Sequence, residues 1–148
     1  MSARVHSLHL HERHGAKPRQ VVEAIARVGG GLEGDSHVEK VKRAVIVVDR
    51  GAEDTLGLVP GDLREQITIT GLPDVSTLPP GTELRVGAVT LRINGECDPC
   101  AHIAELNDQV DIAAFREALE HRRGAECTVV AAAGPVRVGD AVSVLVRA

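Results

Sequence analysis

The amino-acid sequence predicts a β-rich α+β domain, barrel-like in architecture, with about seven short strands and one or two short helices. Two observations lead there. Segments of β-branched residues or strict apolar–polar alternation recur along the chain, punctuated by Gly and Pro turns. Helical spacing is sparse, and it does not alternate with the strands in the βαβ manner that a parallel α/β sheet requires. At 148 residues the chain reads as one domain, 1–148, long enough to bury about two-thirds of its unfolded surface.

Taken in order, Arg4 to Leu10 alternates roughly and forms the first strand. His6, His9, His11 and His14 cluster around its end, and their irregular spacing reads as exposed polar residues on an edge strand rather than a metal site. From Arg19 to Val28, Val21, Val22, Ile25 and Val28 recur at helical spacing, with Glu23 and Arg27 placed to pair at i, i+4. Gly29-Gly30-Gly31 ends that element and matches neither a dinucleotide fingerprint nor a P-loop. Gly34-Asp35-Ser36-His37 reads as an Asx-type turn. Lys42 to Asp49 carries the run Ala44–Val48, a strand buried on both faces. Arg50 to Leu56 is a short helix closed by Gly57, and Pro60-Gly61-Asp62 is a turn. Arg64 to Thr70 alternates as a half-buried strand.

Thr82 to Val86 and Val89 to Ile93 form a hairpin around Gly87-Ala88. Asp111 to His121 is the strongest helix, with Ile112, Phe115 and Leu119 on one face, Asp111 as cap, and Arg122-Arg123-Gly124 at its closing end. Cys127 to Ala131 and Ala141 to Val146 complete the strands.

Composition excludes several function classes. Phe115 is the sole aromatic residue, so the core is built from Val, Leu, Ile and Ala, and stacking platforms for single-stranded nucleic acid are missing. A formal charge of −4 gives no basic footprint for phosphate backbones. No apolar run approaches the ~20 residues of a membrane span, and the N-terminus lacks a signal-peptide core. Three cysteines, an odd number, fit free thiols in a reducing cytosol, so a cytoplasmic location is expected.

The densest chemistry lies in Gly95-Glu96-Cys97-Asp98-Pro99-Cys100-Ala101-His102. Its two thiols admit four readings. A structural zinc site needs four ligands; Cys97 and Cys100 supply one pair, with His102, His37 or Cys127 required to complete it. A dithiol–disulfide couple has the right spacing, but Asp98 and Glu96 oppose thiolate formation. A single working thiol, Cys100, needs a nearby cation, for which Arg43, Arg64, Lys42 and Arg122 are candidates. The fourth reading is packing without chemistry. Cys127, alternating with Val129, reads as a small core residue.

The order of segments adds a resemblance. Gly31-Leu32-Glu33-Gly34-Asp35-Ser36-His37, Arg43-Ala44-Val45-Ile46-Val47, Leu58-Val59-Pro60-Gly61 and Arg64-Glu65-Gln66-Ile67 resemble the MOSC domain, the molybdenum cofactor sulfurase C-terminal domain family. The similarity continues through Gly81-Thr82-Glu83-Leu84, Pro99-Cys100, Arg123-Gly124 and Gly139-Asp140-Ala141-Val142. It implies a MOSC-like β-barrel, with Cys100 as a sulfur carrier or as the ligand of a molybdenum cofactor (molybdopterin). Cys97 is then a resolving thiol or accessory metal ligand. Asp35, His37, Arg43 and Glu65 fall on family-like positions and are expected to line the cofactor-binding pocket, Arg43 suiting a pterin phosphate.

Many members have Glu-Asn where this chain has Glu65-Gln66. The chain carries no ferredoxin-type cluster and no pyridoxal-phosphate enzyme domain, so sulfur or electrons are expected from a partner, a cysteine desulfurase or a reductase. The rival readings are a non-catalytic binding module of the same fold and a zinc-stabilised domain using Cys97, Cys100 and His102.

Overall fold

The computed structural model describes residues 2–13, 17–97, 103 and 106–146. Seven strands close a mixed barrel: β1 (Ala3–Leu10), β4 (Val45–Asp49), β5 (Ile67–Thr70), β6 (Glu83–Val86), β7 (Val89–Glu96), β8 (Ala125–Ala132) and β10 (Ala141–Val146). Round the barrel the order is β1-β10-β6-β7-β8-β4-β5 and back to β1. Closure falls between the chain's two ends, where Ala3 faces Val142 and Arg4 faces Ala141. β2 (Arg19–Val21) adds to the far half of β1, and β3 (Glu23–Ala24) pairs with β9 (Val136–Arg137) as a separate ribbon.

All barrel pairings are antiparallel except β4–β5. A parallel pair needs a crossover, and residues 50–66 provide it through α1 (Arg50–Leu56). Sequence alternation alone gave no sign of this single βαβ step. Asp49 caps α1 by accepting from Gly51 N–H at 2.9 Å, and Gly57 ends it in the left-handed region at φ 71°.

The core has two layers. Alternate residues of the strands fill the barrel, among them Val5, Leu8, Val45, Val47, Ile67, Ile69, Leu84, Leu91, Ile93, Cys127 and Val129. Outside it, Ile46 and Val48 of β4 meet Ala52, Leu63, Cys97, Ile103, Phe115 and Leu119. Phe115 and Leu119 come from α2 (Ile112–Leu119), whose cap Asp111 accepts from Ala114 N–H at 3.0 Å. β4 is therefore buried on both faces, as its unbroken apolar run predicts. The β6–β7 hairpin turns on Gly87-Ala88, and β7 runs three residues beyond its expected end, to Glu96.

Four expectations are corrected. Residues 19–28 form β2 and β3, not a helix. Val22 and Ile25 lie 78% and 58% exposed, and Arg27 pairs with Glu33, and Glu23 with Arg137, instead of with each other. Adjacent Val21 and Val22 disfavour a helix, and the edge of β1 offers backbone hydrogen bonds that a ten-residue helix cannot match. His9 and His11 are buried beneath the loop that follows α1, where Gly61 approaches the His9 ring and the Glu65 carbonyl meets His11 Nε2, while His6 stays exposed; His14 lies outside the described residues. β5 is buried on both faces, because α1 packs on it and Glu65 takes the Thr68 hydroxyl, while Gln66, just ahead of it, is closed in by the Asp35 loop and β4. α2 ends at Leu119, and His121 turns left-handed at φ 65° ahead of Gly124, itself at φ 113°. Gly124 answers a different need: a Cβ there would stand 2.7 Å from the Val47 carbonyl oxygen.

Candidate functional site

Asp35 is the centre of a buried network at one end of the barrel. Gly34, in the left-handed region at φ 86°, turns the chain so that the Asp35 side chain folds back on its own loop. Its Oδ2 accepts from His37 N–H at 2.9 Å, which is the Asx turn read from Gly-Asp-Ser-His. Oδ1 accepts from His11 N–H at 2.8 Å, and Oδ2 also from Gln66 Nε2 at 3.1 Å. Gln66 spends its other amide atom on β4, where Oε1 accepts from Ile46 N–H at 2.7 Å. The amide thus bridges β4 and the Asp35 loop, and the longer side chain at the family's Asn position is fully employed.

Burial pushes the Asp35 carboxyl up, but the donors of His37, His11 and Gln66 outweigh it and hold the group below its ordinary value. His37 stands at the surface with Nδ1 3.6 Å from Oδ2. His11 Nε2 lies 3.0 Å from the Glu65 carbonyl, so that nitrogen carries the proton, and burial keeps the imidazole neutral by lowering its pKa. Glu65 is fully buried, its carboxylate accepting from Leu63 N–H and from the Thr68 hydroxyl.

Two guanidinium groups complete this end. Arg64 stands in the left-handed region at φ 62°; burial lowers its pKa, Asp35 acts to raise it, and Arg123 acts to lower it. Arg123 is 1% exposed. The next residue, Gly124, accepts at its carbonyl from Cys97 N–H at 2.8 Å. Cys97 is itself buried, beneath a cleft of about 490 Å³ lined by Glu96, Arg116, Glu117, Glu120 and His121. The His121 ring meets Glu96 at 3.0 Å across this cleft.

The cysteine segment is therefore fixed at both ends. Cys97 is tied to Gly124, while Ile103 packs in the outer core beside Leu63 and the Asn107 amide donates to the Asp62 carbonyl at 2.9 Å. Cys100 and His102 lie outside the described residues.

Of the residues expected at the pocket, Asp35, His37 and Glu65 come together through His11 and Gln66. Arg43 does not join them: it is half-exposed, with Nε 3.5 Å from Glu126. Cys127 faces the barrel core, where burial, with Glu126 adding, pushes its thiol far up; it is an inert core residue. Among the described residues no group of three or more His, Cys, Asp or Glu side chains is arranged to hold a metal ion.

His11 and Arg123 also belong to this end of the barrel, and neither was expected there from the sequence. The signal for His11 was its place at the end of a strand that turns out to be interior. For Arg123 it was the adjacent Gly124, whose missing side chain permits the close approach to the Val47 carbonyl.

The fold is a closed mixed barrel with a buried carboxylate and two guanidinium groups at one end, and with Cys97 buried just past the end of β7. Residues 34–143 match the MOSC domain, and the chain belongs to the MOSC domain family. That family is associated with the molybdenum cofactor.

Among solved structures, the YuaD protein from Bacillus subtilis superposes with a TM-score of 0.83 at 22% identity, covering 96% of this chain and 94% of that one. YiiM from Geobacillus stearothermophilus gives 0.75 at 13% identity, covering 97% and 75%. YiiM from Escherichia coli gives 0.69 at 20%, covering 99% and 70%. At these identities the likeness is one of fold. No curated protein matches the chain.

Proposed function

We propose that the protein is a sulfur carrier in which Cys100 holds sulfane sulfur as a persulfide at the guanidinium-lined end of the barrel. The observation that supports this reading is the anchoring of the cysteine segment around Arg123. Cys97 is bonded to the residue after Arg123, and Arg123 is within electrostatic reach of Arg64. Cys100 follows three residues along, and three residues span at most about 11 Å. A thiol near fixed cations gains thiolate character, which both attack on a persulfide and its storage require.

In the transfer, the Cys100 thiolate attacks the terminal sulfur of a donor persulfide. A new S–S bond forms at Cys100, the donor's S–S bond breaks, and the donor leaves as its thiolate. No net oxidation occurs. A pyridoxal-phosphate-dependent cysteine desulfurase is the class of partner that generates such a donor.

The same end bears on the molybdenum cofactor. The guanidinium groups of Arg64 and Arg123 suit an anionic group, while Asp35, whose oxygens already accept from His11, His37 and Gln66, would take no part in holding it. Arg43, engaged with Glu126, suits it less. The soft ligand would fall to Cys100, and the cofactor, when bound, would supply redox chemistry at the metal. The chain's own residues would bind and orient it.

Incubation with a desulfurase and free cysteine, read by intact mass, tests the carrier role. The wild-type protein is expected to gain one sulfur atom, Cys100→Ser none, and Cys97→Ser to keep the gain. A wild-type protein that stays unmodified while the desulfurase turns over, or a Cys100→Ser variant that still gains sulfur, would overturn it.

A further inference from the structure

Beneath the functional end, two carboxyl groups face each other where water does not reach. Glu53 lies on the inner side of α1 and Glu65 just ahead of β5, and neither is exposed at all. Both oxygens of Glu53 are buried and find no N–H or O–H donor. Both oxygens of Glu65 already accept, one from Leu63 N–H and the other from Thr68 Oγ1 at 2.7 Å. The two side chains are nonetheless within hydrogen-bonding reach.

Two carboxylates have only acceptors to offer each other, so this contact exists only if one of them carries a proton. Glu65 has its donors and Glu53 has none, so the proton belongs to Glu53. An ionised Glu53 would be a buried charge without a donor beside a second negative charge, which burial strongly disfavours.

We propose that Glu53 is a standing neutral carboxylic acid that donates its proton to Glu65, and that this shared proton is a catch holding α1 against the barrel. The catch reaches the site above it. Glu65 holds His11 through its carbonyl, and Gln66, next in the chain, holds Asp35 and β4.

The other charged groups facing the pair do not remove the need for a proton. Arg50 of α1 favours ionisation of Glu53, but Asp62, from the loop before β5, opposes it. His9 of β1 and His11 just past its end face Glu65, and burial lowers the pKa of both, leaving them neutral. Desolvation, first, and Glu65, second, together raise the Glu53 pKa far above the ordinary carboxylate range.

The linkage follows from the sign. A carboxyl with a raised pKa in the folded state binds a proton there that the unfolded chain has released. Its contribution is full below the unfolded value, near 4.5, and is lost as pH rises through the folded value. Across neutrality this one proton lowers the folding equilibrium constant by up to tenfold per pH unit.

Urea unfolding followed by circular dichroism at pH 6, 7, 8 and 9 tests the proposal on the full chain. Glu53→Gln supplies a neutral donor of the same shape. Relative to the wild type it is expected to gain up to tenfold in folding equilibrium constant per pH unit. Infrared difference spectra should show a protonated-carboxyl carbonyl band in the wild type that Glu53→Gln lacks. Glu65→Gln should weaken the pH dependence without abolishing it, because it removes the second charge while Glu53 stays buried. A wild-type and Glu53→Gln pair whose stabilities run parallel from pH 6 to 9, with no carboxyl band assigned to Glu53, would overturn it.

Discussion

Asp35 accepts three hydrogen bonds from groups far apart in sequence: His11 just past the end of β1, His37 on its own loop, and Gln66 at the mouth of β5. The carboxylate therefore fixes the loop to the barrel, and its lowered pKa makes that fixation pH-dependent. With the folded value depressed, the contribution is present above the ordinary Asp value and is lost as pH falls through the folded one. Asp35→Asn is accordingly expected to flatten the acid side of the stability profile, measured by thermal melting between pH 3 and 6. Gln66→Leu leaves Ile46 N–H without its acceptor and Asp35 short of a donor in a buried setting. A loss of about 2–3 kcal/mol is expected in denaturant titration. Gln66→Glu should cost at least as much, since it sets a second carboxylate beside Asp35.

At the scale of elements, legibility followed burial pattern. β4 was legible because a run of apolar residues buried on both faces looks the same in sequence as in structure. The hairpin and the Asp111 cap were legible because their signals are local. Residues 19–28 were misread because Val21, Val22, Ile25 and Val28 mimic a helical stripe, yet no apolar surface waits for that stripe and the open side of β1 waits for a strand. The histidines of β1 and the polar face of β5 were misread for a shared reason. What covers them, α1 and the loop after it, comes from a crossover that alternation cannot announce.

Asp35, His37 and Glu65, expected together from the order of segments, do meet at one end of the barrel. Arg123 and His11 depend on contacts made far along the chain, and no local pattern carries those. The corrected assignment is testable by substitution. Val22→Thr and Ile25→Thr should shift stability by no more than about 0.5 kcal/mol, because both side chains stand in solvent. Leu119→Ala, in the outer core on Ile46 and Val48, should cost about 2–5 kcal/mol. Chemical denaturation of the three variants separates the strand assignment from the helical one.

For the whole molecule, barrel closure sorts the thiols into two environments. Cys127 lies inside the barrel, paired across β4 and β7 with Val45 and Ile93, and no opening short of breaking those ladders exposes it. Cys97 sits outside that closed wall, in the layer between β4 and α2, and begins the segment that carries Cys100. Local opening of α2 requires fewer buried contacts than opening the barrel, so the two regions should exchange with different free energies. In native protein, iodoacetamide is expected to label the peptide containing Cys97 and Cys100 while sparing Cys127. Labelling of Cys127 should set in only at denaturant concentrations that abolish the circular-dichroism signal, which is the probe to use in a chain without Trp or Tyr.

The guanidinium groups add a second axis to the same measurement. If Arg64 supports a thiolate at Cys100, Arg64→Met should move the pH midpoint of its alkylation upward by about one unit or more, measured by peptide mass spectrometry. Arg43→Met, removing a cation engaged with Glu126 away from Asp35, should leave that midpoint in place. Equal midpoints in wild type and Arg64→Met would separate the guanidinium pair from the thiol chemistry and leave it a structural role at the barrel's end.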